Sequence, residues 1–303
     1  MLDVALVGTG GMLPLANRYL TSLLCRYNGK MVLIDCGEGT QMSLRLLGFG
    51  FKNIDVICLT HFHADHTAGL AGLLLTIGGS GRLAPVTIIG PKGVEYIVKS
   101  ICVIAPEVPF ELKFVELLED GVSKLMLSSF CISATPVVHN CPCYAYSLAI
   151  KRAGKFDIVA AESLGIPKNL WGLLQKGQDI EYNDRVYTPP MVMGGNRKGL
   201  KISYCTDSRP PRHLPEFIYE SDIFICEGHY GDNMLLEKAK SHRHMIYSEA
   251  AQLAKNGKVK ELWLTHFSPA MTEPSEYIKN ASDIFENTII GYDRMCKSLT
   301  FKE

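Results

Sequence analysis

The sequence predicts an α/β (α+β) fold in which two mixed β-sheets pack face to face between outer helices, an αββα sandwich. Short β-type runs bounded by Gly, Asn or Asp recur along the chain and outnumber the helical patterns between them. Many neighbouring runs have only short connections, so we expect largely antiparallel pairing with the helices outside. Apolar residues make up 47% of the 303 residues, which is ample for a core and excludes a disordered chain.

The individual elements follow from local patterns. Three segments have a helical pattern: 67–77, 92–101 directly after Pro91, and the alanine-containing 243–255. The strand-like runs are aliphatic or aromatic and end at turn-forming residues. They lie at 4–8, 22–25, 31–35, 54–59, 86–90, 130–138, 144–150, 202–205, 223–226 and 262–264.

The chain is expected to be a single domain, 1–303, because no repeat and no low-complexity linker divides it. One segment, about 151–200, differs in composition: it contains more charges, turn formers and prolines and ends in a glycine-rich stretch. We interpret this segment as an excursion from the core. An ordinary run of surface loops is the alternative.

Charge and cysteine content restrict the partners and the compartment. Lys plus Arg and Asp plus Glu both number 31, so the net charge is +0 and a nucleic-acid partner would need a local positive field. The ten cysteines form no Cys-x-x-Cys pair, and the run 141–143 (Cys-Pro-Cys) is too tight for the usual structural zinc site. Free thiols in that number favour the cytoplasm. We expect neither a signal peptide nor a membrane span.

The segment 61–66 (His-Phe-His-Ala-Asp-His) holds four potential metal ligands directly after an apolar strand. Residues two apart on an extended chain point the same way, so His61 and His63 can face one cation. Asp65 and His66, where the chain turns into a helix, can face a second cation. Imidazole together with carboxylate suits borderline metals such as zinc, manganese or iron.

Further donors end other predicted strands, where an apolar run meets a polar turn. They are His139, Asp207 and His266. With the segment 61–66 they supply two sets of ligands, and Asp207 could bridge both ions. The sequence therefore predicts two bound metal ions, zinc in the first place with manganese or iron as alternatives.

The chain resembles the metallo-β-lactamase superfamily and, within it, the ribonuclease Z family, over nearly its whole length. The stretches that carry the resemblance are 6–10, 33–41, 59–70, 138–139, 205–210 and 264–266. Two weaker motifs favour ribonuclease Z: Glu227 in Ile-Cys-Glu-Gly resembles the family's His-Glu-Ala-Thr stretch, and His244 ahead of Ser248 resembles its His-Ser-Thr stretch. The resemblance implies the metallo-β-lactamase fold and a metal-dependent phosphodiesterase, an endonuclease that removes the 3′ trailer of precursor tRNA.

By that resemblance the metal ligands form two sets that share Asp207. The sets are His61, His63 and His139 for one ion and Asp65, His66 and His266 for the other. Asp65 would also orient or deprotonate a bridging water. His244 would protonate the leaving oxygen, and Glu227 would hold its imidazole, roles that suit these residue types. From the residues alone, His244 could also lie on the polar face of a surface helix.

The excursion resembles the arm with which bacterial ribonuclease Z grips tRNA, and Lys168, Trp171 and Lys176 are its candidate substrate-binding residues. Trp171 could instead pin the loop to the body or to a second subunit. Two stretches depart from the family pattern. The loop 14–18 lacks the lysine and the Arg-Asn order of the family's Pro-x-Lys-x-Arg-Asn, and 169–170 is Asn-Leu where the arm has Gly-Pro.

The departures leave a second function open, hydrolysis of a small phosphodiester such as a cyclic nucleotide. The net charge of +0 and the altered 14–18 loop favour it, whereas the arm and the His244/Glu227 pair favour the nuclease. A glyoxalase-type thioesterase shares the histidine motif but would not carry the arm. We expect a cytoplasmic homodimer with no membrane association and no evident protein partner.

Overall fold

The computed structural model describes residues 1–105, 107–195 and 197–301. The chain divides into two compact units, 1–149 together with 200–303, and 150–199. Two seven-stranded sheets dominate the first unit, and the second unit contains a two-stranded hairpin. Among the described residues, no helix is both long and apolar enough to cross a bilayer.

Strands and helices follow one another along the chain in the order given by their numbers and residue bounds. The strands are β1 (Leu2–Gly8), β2 (Ser22–Tyr27), β3 (Lys30–Ile34), β4 (Ile54–Cys58), β5 (Val86–Gly90), β6 (Leu112–Glu116), β7 (Ser123–Leu127), β8 (Phe130–Pro136), β9 (Tyr144–Arg152), β10 (Ile180–Tyr182), β11 (Arg185–Tyr187), β12 (Arg197–Cys205), β13 (Ile223–Glu227), β14 (Leu262–Thr265), β15 (Thr288–Ile290) and β16 (Cys296–Leu299). The helices are α1 (Thr40–Leu47), α2 (Ala64–Thr67), α3 (Leu70–Gly79), α4 (Val94–Ile101), α5 (Ile158–Ser163), α6 (Lys168–Gln175), α7 (Leu214–Phe217), α8 (Leu236–His242), α9 (Tyr247–Asn256) and α10 (Lys279–Ser282). Short 3-10 turns lie at Cys102–Ile104, Pro189–Met191, Asn233–Leu235 and Pro274–Tyr277.

Both sheets are mixed. The first has the order β16-β1-β2-β3-β4-β5-β6, antiparallel from β16 to β3 and parallel from β3 to β6. The second has the order β15-β14-β13-β12-β9-β8-β7, parallel from β15 to β12 and antiparallel from β9 to β7. The predicted pair of mixed sheets is confirmed. The expectation of largely antiparallel pairing is wrong, because helical connections such as α1 and α9 return the chain in the same direction.

Helices cover the outer faces of the two sheets. Leu73 of α3 and Val98 of α4 belong to the same buried cluster as Ile57 of β4. Ala250 of α9 belongs to a second cluster with Phe224 of β13. Between the sheets, the fully buried Tyr146 donates its hydroxyl hydrogen to the carbonyl oxygen of Leu59 over 2.8 Å. The layers are therefore helix, sheet, sheet and helix, as predicted.

The predicted helices are present with shifted bounds. The pattern at 67–77 corresponds to α3, and the pattern at 92–101 to α4. The pattern at 243–255 begins too early, because α9 starts only at Tyr247 and residues 243–246 form the turn before it. The side chain of Glu249 accepts the backbone N–H of Ile246, which fixes that start.

The second unit has a small core of its own. Short helices α5 and α6 pack with the β10–β11 hairpin around buried apolar side chains. These are Ala161, Ile166, Leu174, Ile180, Tyr187 and Val192. Its two chain ends are hydrogen-bonded to each other, since the N–H of Gly194 donates to the carbonyl of Lys155 over 2.7 Å. That this segment acts as an arm stays a prediction.

Candidate metal centre and active site

The candidate site lies in the first unit, where several strands end. Asp207 follows β12, Glu227 ends β13 and His266 follows β14, and these three strands are parallel neighbours whose ends share one edge. His61 follows β4 and His139 follows β8, so these two residues also lie in turns just after a strand ends. Asp207 and His266 have left-handed backbones with φ of 43° and 57°. Such φ values are uncommon for residues other than glycine and concentrate at functional sites.

One group of ligands is almost sealed from solvent. His66 Nε2 and His266 Nε2 lie 3.1 and 3.0 Å from Asp207 Oδ1. Asp65 Oδ2 lies 3.4 Å from His266 Nε2. All four side chains are buried, so this group, called the inner pocket below, is closed.

A second group surrounds the other oxygen of the same carboxylate. His61 Nε2 and His139 Nε2 each lie 3.8 Å from Asp207 Oδ2. One ring nitrogen from each of His61, His63 and His139 lies within 4.8 Å of the others. His63 is exposed while His61 and His139 are buried, so this outer pocket opens to solvent. Asp207 thus turns one oxygen to each pocket, the geometry of a carboxylate able to bridge two cations.

The residues fit metal ions. No described residue forms a hydrogen bond with the buried Nε2 atoms of His61 and His139. Buried polar atoms without a partner are rare and need an explanation such as a missing ion. The converging atoms are imidazole nitrogens and carboxylate oxygens, which suit borderline divalent metals. A metal centre explains both observations.

Neighbouring groups fix the imidazole rings. Buried Asp35 accepts a hydrogen bond from Nδ1 of His66 over 2.8 Å, which leaves Nε2 for a cation. The backbone N–H of Met12 donates to Asp65 Oδ2 over 2.7 Å. A Cβ at Gly11 would stand 2.6 Å from Cε1 of His266, so only glycine lets this loop approach the ring so closely. Asp35 was not among the predicted site residues, although it ends an apolar run as several of them do.

The charges of the site are consistent with metal binding. Burial raises the pKa of Asp207, but the imidazoles of His266 and His66 outweigh it and hold that pKa well below its usual value. The pKa of Asp65 is likewise lowered despite burial, chiefly through His266 and His66. Burial holds the pKa of His61 well below its usual value, so its ring is neutral. Burial lowers the pKa of His66, but Asp207 and Asp35 outweigh this and hold it well above its usual value, so a cation must displace that proton. The ionised carboxylates and neutral His61 are already in the forms that coordinate cations.

The structure brings His244 to the site in the turn before α9. Its Nδ1 donates to Glu227 Oε2 over 3.0 Å, and its ring lies 5.5 Å from that of His139 and 5.6 Å from that of His266. Glu227 is fully buried and also accepts the backbone N–H of Met245 over 3.1 Å. Burial lowers the pKa of His244, but the adjacent Glu227 carboxylate outweighs this and raises it to about 9.

Arg209, in the segment that follows β12, holds the same turn in place. Its guanidinium donates to the carbonyl oxygen of His244 and pairs with the carboxylate of Glu249 at the start of α9. His244 is therefore anchored at its ring by Glu227 and at its backbone by Arg209. A polar face of a surface helix, the alternative considered for His244, does not describe this position.

Two further side chains reach the site that sequence analysis did not assign to it. The ring of His229 stacks on that of His244, 4.0 Å apart and 11° from parallel, and burial lowers its pKa to about 2. Cys141 Sγ lies 3.8 Å from Nε2 of His63. His229 stands two residues after Glu227, and Cys141 stands two residues after His139. This spacing is the sequence feature from which both could have been predicted.

The three candidate substrate-binding residues lie in the second unit. Lys168 and Lys176 flank α6 and are exposed. The ammonium of Lys168 lies 5.7 Å from the centre of the Trp171 ring. Trp171 is half-buried, packs 5.3 Å from the ring of Phe156 and donates its indole N–H to the carbonyl oxygen of Ile166 over 2.8 Å. Trp171 thus belongs to the core of this unit, and that it pins the loop to the body or to a second subunit stays a prediction.

Known proteins resemble the chain over its full length. The sequence profile described as "Anti-Pycsar protein Apyc1" matches residues 2–91. Ribonuclease Z of Clostridium kluyveri is 55% identical, covering 100% of both chains, and ribonuclease Z of Clostridium acetobutylicum is 51% identical, covering 100% of this chain and 99% of the relative.

Solved structures agree in fold. Human tRNase Z, short form, is 24% identical with a TM-score of 0.70, covering 99% of this chain and 100% of its own. The metallo-beta-lactamase fold protein YhfI from Bacillus subtilis is 19% identical with a TM-score of 0.70, covering 98% of both chains. The predicted metallo-β-lactamase fold and the predicted metal-dependent hydrolase are confirmed, and the chain belongs to the ribonuclease Z family.

Proposed function

We propose that the protein is an endonuclease that removes the 3′ trailer of precursor tRNA. The observation that carries this proposal is the combination of two ligand pockets sharing Asp207 with the His244–Glu227 pair beside them. Phosphodiester cleavage needs an activated water, positive charge on the non-bridging oxygens and a proton for the leaving alkoxide. Full-length relatives that are 55% and 51% identical are named ribonuclease Z, which supports RNA as the substrate.

The outer pocket would hold one ion through His61, His63 and His139. The inner pocket would hold the other through Asp65, His66 and His266, with Asp207 between them. When bound, the ions supply positive charge to the scissile phosphate and acidify water. We propose that both ions are zinc. Histidine and carboxylate ligands are typical of catalytic zinc sites, whereas structural zinc sites are usually rich in thiolates; manganese and iron are the alternatives.

The chain's own groups supply the proton transfers. Asp65 is ionised and held by the N–H of Met12, so it can orient the attacking water and accept its proton. Glu227 occupies Nδ1 of His244, which leaves Nε2 to donate the proton to the leaving oxygen. With a pKa of about 9, His244 is protonated at neutral pH, as an acid must be before it acts.

We propose that the second unit binds the tRNA body. Lys168 and Lys176 are exposed at the two ends of α6, and phosphate contacts dominate the affinity of proteins for nucleic acid. Trp171 supports this role by fixing α6 to the unit's core and by its contact with Lys168. The net charge of the chain is +0, so binding depends on such local cations.

We also propose a cytoplasmic homodimer. The support for the compartment is the set of ten free cysteines. The support for self-association is large apolar side chains at the surface, with Val103 and Ile104 81% and 86% exposed. Light scattering of the purified protein tests the dimer.

The substrate is tested by incubating the zinc-loaded protein with labelled precursor tRNA and, in parallel, with bis-p-nitrophenyl phosphate and a cyclic nucleotide. We expect a single cut that releases the 3′ trailer, together with slow turnover of the activated diester. Turnover of the cyclic nucleotide with no cut in tRNA would replace the nuclease by the small-diester hydrolase. One observation supports the small-diester hydrolase. Arg18 of the altered 14–18 loop donates to the carbonyl oxygens of Met271 and Thr272, so its guanidinium already has partners within the protein and is less available to contact RNA.

A further inference from the structure

The outer pocket has a further potential ligand, the thiol of Cys141. This residue lies in the turn between β8 and β9, two residues after His139, and is half-buried. Its sulfur and one nitrogen from each of His61, His63 and His139 all lie within 4.8 Å of one another. The buried Nε2 of His61, which no described residue satisfies by a hydrogen bond, points to a ligand here independently of the thiol.

The separation of the donors suits a common cation. At a zinc ion with Zn–N of about 2.05 Å and Zn–S of about 2.3 Å, a nitrogen and a sulfur ligand about 90° to 120° apart are separated by about 3.1 to 3.8 Å. Cys141 Sγ and His63 Nε2 are 3.8 Å apart. This separation is at the upper end of that range, and the sulfur lies within 4.8 Å of the His61 and His139 ligand nitrogens, so it is placed to share a cation with the three imidazoles.

The neighbouring thiol is oriented differently. Cys143 Sγ lies 3.7 Å from Nδ1 of His61, the nitrogen that also contacts the Thr60 hydroxyl at 3.0 Å, and not from Nε2. Cys143 is also buried, with 2% of its surface exposed. Because Nδ1 faces away from the pocket, Cys143 cannot bind the same ion. The two cysteines thus form a matched pair, one aimed at the pocket and one behind it.

We propose that Cys141 is a further protein ligand of the outer ion, beside the three imidazoles and the shared carboxylate of Asp207. The thiol releases its proton to solvent, and the thiolate sulfur then bonds the cation held by His61, His63 and His139. A thiolate ligand favours zinc over manganese, so Cys141 makes this pocket selective for thiophilic ions. This inference rests on the metal centre of the proposed function and adds sulfur to its ligands.

The first test is spectroscopic and uses the full chain loaded with Co²⁺. We expect a near-ultraviolet sulfur-to-cobalt charge-transfer band that Cys141→Ser abolishes and Cys143→Ser retains. X-ray absorption of the zinc-loaded wild type should contain a sulfur shell at about 2.3 Å. Cys141→Ser should weaken zinc binding at one site by at least about tenfold, a lower limit taken from changes to groups that only orient ligands.

A second test needs no variant. Alkylation of Cys141 by iodoacetamide, followed by mass spectrometry of its peptide, should slow by about tenfold or more when zinc is added, because a coordinated thiolate is shielded. Cys131 and Cys296, which are at least partly exposed and belong to none of the ligand groups, serve as internal controls and should not change.

The outcomes separate this inference from the function on which it rests. Two bound metals and tRNA cleavage with only nitrogen and oxygen ligands, and unprotected Cys141, would overturn the thiolate ligand alone. In that case the 3.8 Å contact is a hydrogen bond from thiol to imidazole. Failure to bind Co²⁺ or Zn²⁺ at all would overturn both proposals.

Discussion

The two units of the chain bury different kinds of side chain. In the first unit, charged and polar groups such as Asp35, His66 and Asp207 are buried and hold one another in place. In the second unit the buried groups are mainly apolar, and the cations Lys168 and Lys176 lie outside. Buried charge fixes reacting groups without reorganisation, whereas exposed cations on a small scaffold suit attraction of a polyanion. The comparison indicates that chemistry and substrate binding can be impaired separately.

The largest effect is expected from Asp207→Ala, because its two oxygens serve both pockets. Cleavage of precursor tRNA and of bis-p-nitrophenyl phosphate should both fall about a thousandfold or more, the scale of lost metal assistance. The metal content, measured by elemental analysis, should fall from close to two equivalents to one or none. Asp222→Asn is the control: this buried carboxylate lies at the opposite end of β13 and pairs with Lys260, so two equivalents should remain. Retention of two metals and full activity by the Asp207 variant would refute the shared ligand.

His244→Ala comes next in size. It should keep both metals yet lose about a hundredfold or more on tRNA, the usual contribution of a general acid. The loss on bis-p-nitrophenyl phosphate should be smaller, since p-nitrophenolate leaves without a proton. His242→Ala is the matched control, because that imidazole is two residues away and bonds Tyr230 at 2.8 Å instead of Glu227. Equal losses on both substrates would argue that His244 acts on structure or metal and not as an acid.

Glu227→Gln should change the pH dependence of tRNA cleavage. An acid must be protonated, so wild-type activity should fall as the pH rises through about 9, the pKa of His244. Without the negative charge of Glu227 the pKa of His244 should fall, although Asp207 and Asp65 still raise it, so the basic limb should move to lower pH and the rate at pH 8 should drop about tenfold. The carboxylate of Glu249 bonds Arg209 at the same turn, so Glu249→Gln tests turn packing alone. A basic limb that stays near pH 9 in the Glu227 variant would assign it to another group.

Most residues of the candidate metal site were predictable from sequence, because the predicted strands are present and their ends converge. His61, His139, Asp207 and His266 each follow a strand, so finding the strands located the ligands. Asp35 ends a predicted run too, but its contact with His66, 31 residues away, depends on how two strand ends face each other. The same holds for Cys141, whose side-chain direction is set by a turn.

Elements fixed by distant contacts were less predictable. Glu249, whose side chain caps the start of α9, is itself held by Arg209, and this ion pair joins residues 40 apart and has no local signature. Apolar periodicity therefore extended the predicted helix back over His244. The parallel half of each sheet was missed for a related reason: short strands give no local sign of the direction of their neighbours.

The smallest effect on chemistry should follow removal of the second unit, and this prediction tests the comparison directly. Phe156 and Met193 pair as an antiparallel bridge, and Gly194 donates to Lys155 over 2.7 Å, so residues 156–193 can be replaced by a two-residue Asn-Gly turn. This cut removes the whole apolar cluster together, unlike a partial deletion that would leave half of it exposed. Metal content and turnover of bis-p-nitrophenyl phosphate should stay unchanged, since every proposed ligand lies in the first unit.

Cleavage of precursor tRNA by the shortened chain should lose about tenfold, mainly through KM, as expected for lost phosphate contacts. In the intact chain, Lys168→Ala with Lys176→Ala should reproduce part of that loss and flatten the dependence of log affinity on log salt by about 0.7 to 0.9 for each contact removed. Lys52→Ala, an exposed lysine of the first unit, controls for net charge alone. If the shortened chain cleaves tRNA with an unchanged KM and salt dependence, the first unit alone recognises the tRNA and the second unit takes no part in binding it.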